Sequence, residues 1–74
     1  MRIDNPDRYQ GKIIRVYFLD GHAPIDGEYD GFTPEYDDPD GRANISVDPI
    51  GGSGWGYDLY EDEIERIEIL GDTE

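Results

Sequence analysis

The sequence has no cysteine, one histidine, one tryptophan, one methionine and only six Lys and Arg residues in 74. Without cysteine, neither a disulfide nor a thiolate–zinc site can staple the chain. A chain of this length buries only about 60% of the surface its unfolded form exposes. Its core is therefore small, and a small barrel or self-association is the expected way to close it. No apolar run approaches the ~20 residues that a membrane-spanning helix needs. The opening segment MRIDNPDRYQ is polar and lacks the apolar centre of a secretory leader. These absences point to a cytoplasmic protein that does not enter membranes. His22 has no Ser or Cys partner at a recognised spacing, so no nucleophile–base pair emerges. It reads as an exposed loop histidine, and the chain reads as non-catalytic and cofactor-free.

What the chain has in abundance is acid. Nineteen Asp and Glu residues against six Lys and Arg give a net charge of −13. Affinity for nucleic-acid backbone comes largely from Lys and Arg that displace counterions, so direct nucleic-acid binding is not expected. Anionic membrane surfaces are disfavoured on the same ground. A basic protein partner would be attracted and its encounter accelerated. High net charge with low hydropathy also marks disordered chains. Two Phe, six Tyr, one Trp and several alternating apolar runs argue instead for a folded domain.

The ten glycines and five prolines fall at short intervals, as turns between short strands do. Asn5-Pro6-Asp7 suits the cap of one helical turn. GKIIRVYFLDG predicts a strand over 12–19 with Ile14, Val16 and Phe18 on one face, closed by the Asp20-Gly21 turn. IDGEYDGF (25–32) predicts a second strand, bent at its two glycines. TPEYDDPDG (33–41) reads as a polar loop. RANISVD supplies a third strand with Ile45 and Val47 inward, and PIGGSGWG (49–56) a Gly-rich loop. YDLY is a fourth strand, EDE a tight turn and IERIEIL a fifth strand, with 71–74 a frayed tail. The expectation is a single all-β domain over 1–74, a five-stranded SH3-like small barrel with its core in 9–70.

In this order the strands resemble the Sm-like family. GKIIRVYFLDG is similar to the opening of that family's first motif, GEYDGF (27–32) to its bent second strand and NISVD (44–48) to its third. LYEDEIERI (59–67) is similar to its second motif, with Ile64 and Ile67 at the isoleucine-like positions. The resemblance implies a small barrel that assembles into rings through edge strands, so a homo-oligomer is among the expectations. Each added copy would bring another −13, and salt should relieve that repulsion. The residues that hold RNA in the family are not retained. Its Asp position is Thr33, its Arg and Gly positions are Tyr60 and Glu61, and only Asn44 matches. The resemblance therefore implies the barrel without the RNA pocket, and an RNA-binding ring is the weakest of the functional readings.

Three stretches carry candidate chemistry. Asp37, Asp38 and Asp40 could wrap a calcium ion through hard oxygen ligands, but the spaced order of a calcium loop and its distal Glu are missing, and a plain Asp/Gly turn explains them as well. GGSGWG (51–56) lacks the Lys-Ser/Thr ending and following helix of a phosphate loop. Its Trp55 is either a contact residue or a lid over the barrel mouth. Tyr17, Tyr36, Trp55 and Tyr57 could line an aromatic peptide groove, or simply pack with their hydroxyls at the rim.

The leading functional reading is an acidic interaction module for a basic protein. Trp55, Tyr36, Tyr57 and Tyr60 would anchor the partner, and Glu35, Asp37, Asp38, Asp40, Glu61 and Glu63 would steer it. The alternative is a nucleic-acid mimic of the kind small phage-encoded inhibitors use. There Glu61, Glu63, Glu65 and Glu68 would form a row of carboxylates in place of phosphates, interrupted by Arg66.

Overall fold

The computed structural model describes residues 1–49 and 56–73, and their regular structure is mainly β. Five antiparallel strands make one sheet: β1 (Lys12–Phe18), β2 (Ile25–Thr33), β3 (Asn44–Pro49), β4 (Tyr57–Tyr60) and β5 (Ile64–Asp72). They lie in the order β4-β3-β2-β1-β5. Among the described residues the only helical pieces are one-turn 3-10 segments at Pro6–Tyr9, Glu35–Asp37 and Glu61–Glu63. No helix among the described residues is long and apolar enough to cross a membrane.

Period-two alternation sets the core. Ile14 and Val16 on β1, Ile45 and Val47 on β3 and Ile64 on β5 are fully buried, with Tyr29 and Leu59 beside them. Each expected strand forms, with modest changes at the ends. The first stops at Phe18 rather than at residue 19. The Leu19 side chain is exposed and its N–H donates to the Glu63 carbonyl at 3.0 Å, outside the β1 ladder. Gly21, at φ +84°, closes the turn that follows, a conformation L side chains rarely adopt.

The two glycines of β2 act differently. Gly27 permits a close approach, because a Cβ there would collide with the Asp48 carbonyl oxygen and with Val47 Cγ1. Gly31 has open space where a Cβ would go and sits beside a register shift that leaves Asp30 out of the β2–β3 ladder. The bend expected at both glycines is therefore tight packing at one and a bulge near the other.

Both ends of the chain correct the sequence reading. The first ten residues look polar, yet Ile3 and Tyr9 are buried in the core and the Tyr9 ring stands 5.9 Å from that of Tyr29. The 3-10 turn Pro6–Tyr9 is what folds Tyr9 inward. Residues 71–73, expected to fray, are held instead. β5 runs through Asp72, whose carboxylate meets Lys12 Nζ, and Thr73 N–H donates to the Gly11 carbonyl at 3.0 Å. Backbone pairing to β1 continues two residues past the last apolar side chain, where the apolar pattern gives no sign of a strand.

The two glycines give a paired prediction. Gly27→Ala should cost about 1–3 kcal/mol through forced displacement of β3, whereas Gly31→Ala should be neutral or mildly stabilising. Urea denaturation of both variants, compared at a common slope, checks this.

Candidate functional site

Between β4 and β5 the chain passes through Glu61-Asp62-Glu63, a single 3-10 turn onto which three separate segments converge. Glu61 N–H donates to the Ala43 carbonyl at 2.9 Å, which ties the turn to the start of β3. The Glu61 and Ile64 carbonyls accept from the Met1 amino group at 2.9 and 2.7 Å, and Glu61 Oε2 accepts from Ile3 N–H at 3.1 Å. The Glu63 carbonyl takes the Leu19 N–H from the β1–β2 turn. Three successive acids are tolerable here because the turn lies at the surface and its backbone is satisfied by these neighbours.

The segment that holds Ala43 also contributes a cation. Arg42 reaches Asp62 as a fork, with Nε to Oδ2 at 3.1 Å and Nη2 to Oδ1 at 2.7 Å, and Nη2 also donates to Glu63 Oε1 at 3.1 Å. Its guanidinium carbon lies 3.8 Å from the centroid of the Tyr60 ring, a cation–π geometry. The hydrogen bonds from Arg42 hold the Asp62 carboxyl below the usual carboxylate range.

Arg42 is itself positioned by the preceding loop. Asp38 Oδ2 accepts the N–H groups of Asp40 (2.9 Å) and Arg42 (3.0 Å), and its Oδ1 accepts from Asn44 Nδ2 at 3.4 Å. The candidate calcium residues Asp37, Asp38 and Asp40 thus belong to a loop closed on its own backbone. Among the described residues no group of three carboxylates or imidazoles converges as a metal site. Asn44 is buried, and its amide also donates to the Arg42 carbonyl at 3.0 Å.

Beside the turn opens a cleft of about 530 Å³. Ile3, Phe32, Pro34 and Ala43 give it an apolar floor, and its polar lining is Glu35, Glu61 and Asp62 together with Arg2 and the N-terminal Met1. Tyr36 lines it too, with 84% of its surface exposed, the highest value among the described large hydrophobic residues. The 3-10 turn Glu35–Asp37 is what lifts this ring out of the loop.

Of the residues singled out in the sequence, the cleft gathers Tyr36, Glu35 and Glu61. Tyr60 lies under Arg42, and Glu63 lines a separate hollow with Phe18 and Ile25. Tyr57 is half-exposed on β4, opposite Val47. Tyr17 is stacked under Arg66 at 3.7 Å. These tyrosines therefore do not share one groove with Tyr36. Trp55, and with it both readings of its role, lies outside the described residues.

The expected row of Glu61, Glu63, Glu65 and Glu68 is not one face either. Glu61 and Glu63 precede β5, Glu65 falls in a bulge between the partners of Tyr17 and Phe18, and Glu68 lies opposite Arg15 with Arg66 at 3.7 Å. A 3-10 turn and a bulge both break the period of two that would align them.

Sequence reasoning missed Asp62, Arg42, and the floor residues Ile3, Phe32 and Pro34. The available signal was Ile3, an aliphatic residue stranded in a polar segment. Cations across the molecule are occupied by the chain's own acids: Arg2 by Asp4, Lys12 by Asp72, Arg15 by Asp26, Arg42 by Asp62 and Glu63, and Arg66 by Glu68. Arg8 instead lies 5.4 Å from the centroid of the Tyr9 ring.

Compared with known proteins, the chain matches no protein-family model, no curated protein and no solved structure.

The Arg42 fork has a pH signature. A carboxylate with a depressed folded pKa stabilises the fold above its unfolded value, near 3.8, and loses that contribution as pH falls through the lower folded value. Arg42→Gln should lower the melting temperature at pH 7. The gap from wild type should close as pH drops below about 3.8. Thermal melts of both proteins from pH 2.5 to 7 test this, and a gap independent of pH would contradict it.

Proposed function

We propose that this protein is a non-catalytic interaction module, an SH3-like small barrel of the Sm-like type, that docks a basic protein segment in the cleft around Tyr36. The observation that carries the reading is the make-up of that cleft. An exposed aromatic and an apolar floor supply contact area, and three carboxylates line the cleft beside Arg2 and Met1, with Arg42 already on Asp62, and with Glu35 and Glu61 left outside any ion pair among the described residues. Tyrosine in such a setting is a frequent anchor of binding energy. The surrounding negative field adds speed and selectivity for a cationic partner more than raw affinity.

The Sm-like part of the reading is supported by register. Thr33 on β2 pairs with Asn44 on β3, and Asn44 pairs with Tyr60 on β4, so the three positions matched to the family's RNA-holding residues form one row across the sheet. Their contents argue against RNA binding. The Asn44 amide is directed at Arg42 and Asp38, and Tyr60 is covered by Arg42. β4 and β5 are the two outer strands of the sheet, where self-association of the Sm-like kind would occur against charge repulsion.

A nucleic-acid mimic is the second reading. It is favoured by the capture of the cations in internal ion pairs, which leaves a large surplus of acidic groups.

An arginine-rich peptide titrated into the protein at about 0.15 M salt separates the two. A docking module should lose about tenfold or more in affinity on Tyr36→Ala, the size expected of an aromatic anchor. If Tyr36→Ala binds like wild type while added salt alone abolishes binding, the Tyr36 cleft is not the site and mimicry becomes the better account.

A further inference from the structure

A second hollow, of about 220 Å³, adjoins the same acidic turn. Phe18, Ala23 and Ile25 form its apolar walls, and Asp20, His22 and Glu63 its polar rim. Phe18 ends β1 and Ile25 begins β2, and both pack against the core, so two walls are fixed by the sheet. The rim is fixed as well. Asp20 Oδ1 accepts the His22 N–H at 3.1 Å and Oδ2 meets His22 Nδ1 at 2.7 Å, while the Leu19–Glu63 backbone hydrogen bond joins the β1–β2 turn to the acidic turn. The bonds from His22 hold the Asp20 carboxyl below its ordinary value. Glu63 is oriented through Oε1 by Arg42.

Size and chemistry define what fits. The hollow is smaller than the roughly 300–1,000 Å³ typical of small-molecule sites and suits a single side chain. Its apolar walls need a hydrocarbon stem, and two carboxylates at the mouth need a positive head. Lysine and arginine are built that way, with stems that lie along apolar surface and heads kept near water. An anion would meet Asp20 and Glu63, and a purely apolar side chain would make no use of the acceptor capacity these carboxylates keep beside their bonds to His22 and Arg42.

We propose that this hollow is a second subsite, which receives one long cationic side chain of the basic partner between Asp20 and Glu63. The inference rests on the docking reading given above and extends it. The Glu61–Glu63 turn would then serve two subsites, with Glu61 and Asp62 on the Tyr36 cleft and Glu63 on this hollow. A ligand that engages both needs one side chain that packs on the Tyr36 ring, an aromatic or a stacked guanidinium, and, separated from it, a basic residue.

Hexa-arginine amide, titrated at fixed ionic strength, tests the proposal through four variants. Asp20→Asn removes a rim charge, and Asp30→Asn makes the same charge change on an exposed position of β2 away from the hollow. Ala23→Phe fills the hollow at constant charge from an exposed position. Tyr36→Ala reports on the first cleft. Asp20→Asn and Ala23→Phe should each weaken binding by roughly three- to fivefold, the range of one partly exposed ion pair, and Asp30→Asn by less than twofold. Equal losses for Asp20→Asn and Asp30→Asn, or no loss for Ala23→Phe, would overturn the subsite. If wild type does not bind hexa-arginine amide at all, the docking reading itself falls. If binding depends on Tyr36 and not on Ala23, the second subsite alone falls.

Discussion

The Glu61–Glu63 turn is the constraint on which the rest of the molecule depends. It joins the two outer strands of the sheet, so it sets how far β4 and β5 stand apart. The N-terminal segment, the start of β3, the β1–β2 turn and Arg42 are all fastened to it through backbone or side-chain hydrogen bonds. Individually such bonds contribute on the order of 1 kcal/mol. Their value here is geometric, since they place an apolar floor, an exposed tyrosine and several carboxylates in fixed relation. An all-β chain of this size has few other means of holding loops that have no helix to rest on.

The charge of the protein divides into two parts. One part is structural: Asp26, Asp62 and Asp72 receive the chain's own cations, and Asp38 closes a loop by accepting backbone N–H groups. The other part is the surplus that produces a net −13. A surplus of this kind costs stability through self-repulsion while it favours solubility and fast encounter with cations. The docking account assigns a role to the portion that borders the two hollows, and the remainder acts as a screened long-range field.

The strands were legible because period-two alternation is a direct consequence of a sheet with one buried face, and Ile14, Val16, Ile45 and Val47 follow it without interruption. What the sequence obscured was decided by contacts distant along the chain. Ile3 and Tyr9 look like isolated apolar residues in a polar leader, and only packing against Tyr29 and the acidic turn makes them core. Residues 71–73 carry no apolar signal and are held by backbone pairing. The site divides in the same way. Tyr36 and Glu35 stood out by type, but Asp62 was one acid among nineteen, and its importance comes from Arg42, twenty residues away in sequence. Glu65 and Glu68 appeared to continue an acidic face, and a bulge in β5 separates them from it.

The central claim is that a basic ligand is received around the acidic turn rather than by the charge of the surface at large. Backbone amide chemical shifts, followed by NMR while an arginine-rich peptide is added, test this residue by residue. The account predicts that shifts concentrate at Glu35, Tyr36 and Glu61–Glu63 and in the β1–β2 turn, and leave the outer face of β5 near Glu68 unmoved. Small shifts spread over every acidic stretch, or shifts centred on β5, would contradict it.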